Sequence, residues 1–391
     1  DDPCILIVYS TFGYGHLQAA QSIRQSLAAQ GIRRVHLIDL LEEAHPYWNA
    51  VSRFTYLRCS THLPKLYGWS YDLTNRASPD PGLNVLFHSI GLKKLREIVY
   101  RLQPDAVVHT FPYLAMSGLS DRLALGIPTF TVLTDYVLHS RWVHPNTDRY
   151  FVATEQLKQT LAASGIDAGK IAVSGIPIRG NFSRPIDRNR ACAELGLETS
   201  KKYVLIAAGA YGVQSHVSKM VATALDHTDG EIVIVCGKNA KLKEKMASVF
   251  GREPRVRILG FVEQMDMWMA AAWCMLTKAG AMTLTEAMSQ SLPVIVYRPL
   301  PGQELGNARV LSERGAIYAA NNEAELAEGL QRLALGSNRT AMAKAMKAVY
   351  LPGAADRIAA DVAQHLAIVR FSRLDRVMHK APSDGLRLRT N

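Results

Sequence analysis

The sequence predicts an α/β protein built as two Rossmann-like halves that face a cleft, followed by a helical tail. Three observations carry that expectation. Short apolar runs alternate with helical patterns along the chain, as parallel sheets with crossover helices require. Pro and Gly punctuate this alternation midway, at Gly175-Ile176-Pro177-Ile178-Arg179-Gly180-Asn181. The alternation then restarts and contains two turns, rich in small residues, that lead from strand into helix. At 391 residues with 48% hydrophobic and 20% charged side chains, the chain can bury two ordinary cores.

Taken in order, Cys4-Ile5-Leu6-Ile7-Val8-Tyr9 reads as a buried strand, followed by a glycine-containing turn and a helix from about Gly15 to Ala29. Val35-His36-Leu37-Ile38 is the next strand. After an aromatic and basic insertion come Ala106 to His109, Thr129 to Leu133 and Tyr150 to Ala153, with a helix in each interval. Beyond the punctuation, Tyr203 to Ala207, Ile232 to Val235 and Val256 to Leu259 are strands, and Cys274-Met275-Leu276 and Pro293 to Tyr297 complete the set. From about Pro352 the pattern is helical and strands do not resume. The expected domains are therefore 1-180, 181-352 and 353-391.

The residues between Thr277 and Asn307 carry the sharpest chemical reading. The turn Lys278-Ala279-Gly280 opens a helix at Ala281-Met282-Thr283, which offers free backbone N–H groups to an anion such as a diphosphate. Glu286, about one turn inside, is suited to accept hydrogen bonds from a sugar diol. The same spacing, Thr283-x-x-Glu286, also fits a capping box. A second turn, Pro301-Gly302-Gln303-Glu304, opens another helix one α/β unit later, and such turns at strand carboxyl ends converge on one crevice. Gln303, Glu304 and Asn307 suit sugar hydroxyls. Lys278 could neutralise a phosphate or simply be solvated at a strand end. Gly209-Ala210-Tyr211-Gly212, after another strand, is a further phosphate-compatible turn.

Two acid/base candidates lie in the first half. In Gly13-Tyr14-Gly15-His16, an imidazole at a helix start beside glycines could take a proton from an acceptor hydroxyl; the competing reading is a Rossmann turn with an incidental histidine. Asp135, just past the strand ending at Leu133, could serve as base, orient His16, or cap a turn. His139, Trp142 and His144 follow and are expected to line an acceptor site. No D-x-D pair occurs in the chain, so no metal-clamped diphosphate and no cofactor are expected.

Charge and aromatics point to a surface. Residues 45-101 hold eight Lys/Arg against three acids, net +5, and residues 357-391 hold seven against three, net +4, within a total of +11. The first segment also contains Tyr47, Trp48, Phe54, Tyr56, Tyr67, Trp69 and Tyr71. Amphipathic rings beside cations suit an anionic membrane interface, although such rings also pack helical subdomains. Nucleic acid is not an expected partner, because no recognition motif accompanies the charge. Five scattered cysteines without a CxxC pair fit a reducing compartment. With no run of about 18 apolar residues and a strand near the N-terminus, peripheral attachment from the cytoplasm is expected.

The run Thr277-Lys278-x-Gly280-x-x-Thr283-x-x-Glu286-Ala287, followed by Pro301-Gly302-Gln303-Glu304-x-x-Asn307, resembles the donor signature of the monogalactosyldiacylglycerol synthases and bacterial diacylglycerol glucosyltransferases. That resemblance implies a GT-B fold whose final helices cross back to the first domain. It implies inverting transfer of a hexose, galactose or glucose, from a UDP-sugar to diacylglycerol or a related lipid. It places His16 and Asp135 at catalytic positions, Phe261 and Val262 at the uracil contact, and Gly15, Gly209, Ala210, Tyr211 and the Lys278 to Asn307 residues at the donor. The acceptor surface, with Tyr47, Trp48, Phe54, Tyr67, Trp69, His139 and Trp142, matches in composition only. Two neighbouring readings share the architecture: a transferase acting on another lipid-linked acceptor, and a UDP-sugar 2-epimerase. A non-catalytic nucleotide-sugar sensor at the membrane is a third.

Overall fold

The structure is a computed structural model that describes residues 2–11, 14–44, 91–123, 126–209 and 216–378. Among these residues the chain forms two six-stranded sheets in which every strand pair is parallel. The first contains β1 (Cys4–Tyr9), β2 (Arg34–Asp39), β3 (Ala106–His109), β4 (Thr129–Val132), β5 (Arg149–Val152) and β6 (Ile171–Val173). The second contains β7 (Tyr203–Ala207), β8 (Glu231–Val235), β9 (Val256–Leu259), β10 (Cys274–Thr277), β11 (Val294–Tyr297) and β12 (Tyr318–Ala320). Central strands are almost wholly apolar because helices cover both faces of a parallel sheet.

Strand β1 shows how the pleat divides the core. Ile5 and Ile7 join Ala20, Ile23 and Leu27 of the Tyr14–Ala29 helix, whereas Leu6 and Val8 join Leu95, Ile98 and Val99 of the Leu92–Leu102 helix. The first of these clusters also takes Ile358, Ala359, Val362 and Leu366, so the Ala354–Met378 helix crosses back onto the N-terminal sheet. Polar contacts hold it there. Ser26 Oγ donates to Asp356 at 2.7 Å, Arg149 donates to Asp361 from Nε and Nη2, and His365 meets Phe130 edge-on at 5.5 Å. The outward and returning connections meet at Gly175, whose φ is +82°; a Cβ there would come within 3.0 Å of Leu351 Cβ and its carbonyl oxygen.

Strand orders are β2-β1-β3-β4-β5-β6 and β12-β11-β10-β7-β8-β9. The second is the dinucleotide-fold order, and the first is the flavodoxin-like one extended by a strand, so the halves are not copies of one topology. Each order reverses once, between β1 and β3 and between β7 and β10. Ligands of open α/β sheets bind outside the strand carboxyl ends at such reversals.

Several expectations need correction. Strands β6 and β12 have no counterpart in the sequence reading, because each is a half-exposed three-residue edge strand with too short a pattern to stand out. The second sheet thus ends at Ala320 rather than at the donor strands, and helices take over from Glu323 rather than Pro352, through Glu323–Ala334, Gly336–Val349 and Ala354–Met378. No helix among the described residues is long and apolar enough to cross a membrane.

Candidate active site

At the first reversal, the turn after β1 is pinned by Asp39 at the end of β2, whose Oδ2 accepts from Thr11 N at 2.9 Å and Thr11 Oγ1 at 2.8 Å. This anchors the start of the Tyr14–Ala29 helix, where His16 sits half-buried. Its Nδ1 lies 2.8 Å from the Thr110 carbonyl oxygen, just past β3, and 3.0 Å from Thr134 Oγ1. A carbonyl oxygen only accepts, so the hydrogen-bond logic puts the proton on Nδ1 and leaves Nε2 as the basic atom. Phe111 packs edge-on against the ring at 5.0 Å. Burial pushes the His16 pKa down, opposed by the nearby charge of Asp135 and by the Thr110 contact. Burial pushes the Asp135 carboxyl up, opposed by Asn307, His16 and Gln303.

Asp135 is also where the halves meet. Its Oδ2 accepts from Gln303 Nε2 at 2.8 Å and its Oδ1 from Asn307 Nδ2 at 3.1 Å. Asn307 is fully buried with both amide hydrogens engaged, since Nδ2 also donates to the Ala279 carbonyl at 3.3 Å, and its Oδ1 accepts from Tyr136 N at 2.9 Å. Next to it, the Tyr136 hydroxyl donates to Thr285 Oγ1 at 2.7 Å, because Thr285 spends its own hydrogen on the Ala281 carbonyl. Two glycines allow the approach. A Cβ on Gly15 would stand 2.7 Å from Met282 Cγ, and one on Gly306 would stand 2.9 Å from Val137 Cγ1.

On the second half, Gly209 follows β7 and Gly280 follows β10, flanking the reversal. Gly280 is the N-cap of the Ala281–Ser289 helix and Gly302 that of the Gln303–Glu313 helix, and neither N-terminus has a side-chain cap. The capping-box reading of Thr283 and Glu286 therefore does not hold, because Thr283 lies inside the helix. First-turn N–H groups remain for an anion. Lys278 Nζ pairs with Glu304 Oε1 at 2.9 Å, and Glu304 Oε2 accepts from Leu300 N at 3.3 Å. Glu286 is buried and pairs with Arg179 of the inter-half linker. Phe261 stands 49% exposed past β9, while Val262 packs on the main apolar cluster.

Several participants emerge only from the fold. Lys238 Nζ lies 5.3 Å from the ring centroids of both Tyr14 and Phe261, linking the halves at the mouth of the cleft. Thr110, Thr134, Tyr136 and Arg179 contribute hydrogen bonds that only the folded register reveals; Arg179 alone had a signal, its place in the Pro/Gly-punctuated boundary.

Some expected residues are elsewhere. Trp142 is 2% exposed inside the main cluster with Tyr150 and Phe182, so it is a core residue rather than an acceptor wall; burying a large indole outweighs its polar neighbours. His139 is buried, and its Nδ1 accepts from Arg141 N at 3.1 Å, capping the short Ser140–Trp142 turn. His144 Nδ1 accepts from Asn146 N at 3.2 Å in the same way. Tyr47, Trp48, Phe54, Tyr67, Trp69, Ala210 and Tyr211 lie outside the described residues. No group of three or more His, Cys, Asp or Glu able to hold a metal occurs among the described residues.

Against known proteins, residues 16–178 match the monogalactosyldiacylglycerol synthase family model and residues 203–363 match the glycosyltransferase family 28 C-terminal domain. A processive diacylglycerol beta-glucosyltransferase of Bacillus licheniformis is 33% identical over 367 residues, covering 93% of this chain and 96% of the relative. The chain belongs to this glycolipid glycosyltransferase family. A relative of the same description from Bacillus cereus is 34% identical over 359 residues, 91% of this chain and 92% of its own. Among solved structures, S. aureus MnaA with UDP has a TM-score of 0.63 at 14% identity, covering 93% of this chain and 97% of that one. Acinetobacter baumannii MurG has a TM-score of 0.61 at 17% identity, covering 93% and 100%. These two likenesses concern the fold, which is GT-B.

Proposed function

We propose that this protein moves a hexose from a UDP-sugar to a hydroxyl of diacylglycerol or a related lipid at a membrane surface, with inversion at the anomeric carbon. One observation carries the reading: His16 of the first half and the uncapped Ala281–Ser289 and Gln303–Glu313 helices of the second face one cleft, locked across it by Asp135 with Gln303 and Asn307. In this mechanism the acceptor hydroxyl gives its proton to His16 Nε2 as its oxygen bonds to the anomeric carbon. The bond from that carbon to the diphosphate oxygen breaks, and UDP leaves with the electron pair. Helix N-termini and Lys278 receive the developing charge, replacing a metal ion. A single displacement inverts the centre.

In the same proposal Asp135 supports the imidazolium through space. With both oxygens already accepting amide hydrogens, it is a poorer base than Nε2. Phe261 covers the uracil, and Glu286 takes the ribose diol. The names of the Bacillus relatives favour glucose and a β linkage. Attachment is peripheral, from the cytoplasmic face, through the basic segment that includes the Leu92–Leu102 helix. Purified protein incubated with UDP-glucose or UDP-galactose and vesicles containing diacylglycerol should yield a glycolipid, with EDTA leaving the rate unchanged. Glycosylation of a different acceptor, or epimerisation of UDP-sugar without any acceptor, would overturn the assignment.

A further inference from the structure

Glu286 carries a carboxylate whose side chain is 4% exposed, and burial pushes its pKa up. An acid in that setting tends to take a proton, which costs it the paired acceptor geometry a vicinal diol needs. Asp266, from the Met265–Ala271 helix, adds to the pressure towards protonation. At the adjoining Thr285 the facing group is the Tyr136 hydroxyl, and the Gly336–Val349 helix contributes Met342, Ala345 and Met346 to the apolar cluster behind. The opposing influence is Arg179, whose Nε donates to Glu286 Oε1 at 2.8 Å. Its guanidinium lies 4.8 Å over the ring of the fully buried Phe182, so packing and pairing fix it from two sides.

We propose that Arg179 is a positioning residue for donor recognition, keeping the Glu286 carboxylate charged and aimed at the nucleotide diol. The inference rests on Glu286 being the diol acceptor. Guanidinium stays protonated at any working pH, so it supplies a constant countercharge that a lysine or a water would not. Its location adds meaning. The preceding residue, Ile178, accepts from Ser22 Oγ at 2.7 Å, and Ser22 lies on the Tyr14–Ala29 helix that carries His16. The acceptor-side helix, the linker and the diol carboxylate thus form one continuous set of contacts, which ties the grip on the nucleotide to the arrangement of the halves.

Calorimetric titration of UDP into the full chain between pH 6.5 and 8.5 tests this, using Arg179→Gln, Arg179→Lys, Glu286→Gln and the Arg179→Gln/Glu286→Gln pair. The expected result is that Arg179→Gln weakens UDP binding about tenfold at the acid end and recovers as pH rises, because alkali ionises the unpaired carboxylate. Glu286→Gln should be weak at every pH, and the double variant no weaker than Glu286→Gln alone. A loss in Arg179→Gln that is independent of pH, or that adds to the Glu286→Gln loss, would show Arg179 acting on the ligand itself and overturn the inference. Unchanged binding in Arg179→Gln would do the same. If Glu286→Gln bound UDP as the unaltered protein does, the diol assignment would be what fails. Should Arg179→Gln not fold, Arg179→Lys decides by the same pH profile, since a shortened, single-point cation holds the carboxylate less firmly.

Discussion

At the scale of single residues, the site separates two groups that the sequence offers as rival bases, His16 ahead of Asp135. His16 Nε2 makes no hydrogen bond among the described residues, whereas both carboxylate oxygens of Asp135 are engaged by amides from the opposite half. His16→Ala should lower kcat by about 10²- to 10⁴-fold, the usual yield of general-base catalysis, with UDP affinity by calorimetry intact. The pH–rate profile then follows from the lowered pKa of His16. A base must be neutral to act, so activity should persist as pH falls below the ordinary imidazole value of about 6.5 and be lost only at the depressed one. Asp135 raises that pKa by its charge, so Asp135→Asn should slide the acid limb to still lower pH while reducing kcat. Disappearance of the limb in Asp135→Asn would instead make the aspartate the base.

At the scale of elements, two helix starts from different halves approach so closely that the Gly15 position has no room for a side chain. Gly15 against Met282 is the tightest such approach at the site. Gly15→Ala should raise KM for the donor by weakening that approach, and Met282→Ala placed in the same chain should restore part of the loss, a coupling measurable as a double-mutant cycle. Elements with continuous, buried runs were legible beforehand: β1, β3 and β7 fall at the residues expected. The three-residue edges β6 and β12 were not, since half-exposed alternation over so few residues carries no period. The turns at Gly15, Gly280 and Gly302 were legible because glycine and small residues mark where backbone must meet a ligand or another helix. What was not legible is partnership. That Asn307 would bond Asp135, Ala279 and Tyr136, or that Trp142 would be core, depends on contacts between residues far apart in sequence.

At the scale of the molecule, the described helices of the two basic segments cover opposite sides of the first sheet. The Leu92–Leu102 helix covers the side of the first sheet defined by Leu6 and Val8, and the Ala354–Met378 helix covers the side defined by Ile5 and Ile7. The former leaves Lys93, Arg96 and Arg101 outward, with Tyr100 59% exposed among them, a combination suited to an anionic interface. Sedimentation with anionic vesicles should fall steeply with added salt, and Lys93→Glu with Arg96→Glu and Arg101→Glu should reduce it at low salt, each charge near the surface being worth about 1 kcal/mol. Retention of full binding by that variant would move the contact to another surface.

The central claim is that a histidine of one half and two helix N-termini of the other carry out a single in-line displacement on a lipid hydroxyl. It is tested most directly by the anomeric configuration of the glycolipid formed from an α-linked UDP-hexose and diacylglycerol, read by NMR on the first product. A β linkage is expected, formed at a strongly reduced rate when His16 is replaced by alanine. An α linkage, or undiminished transfer by the alanine variant, would contradict it.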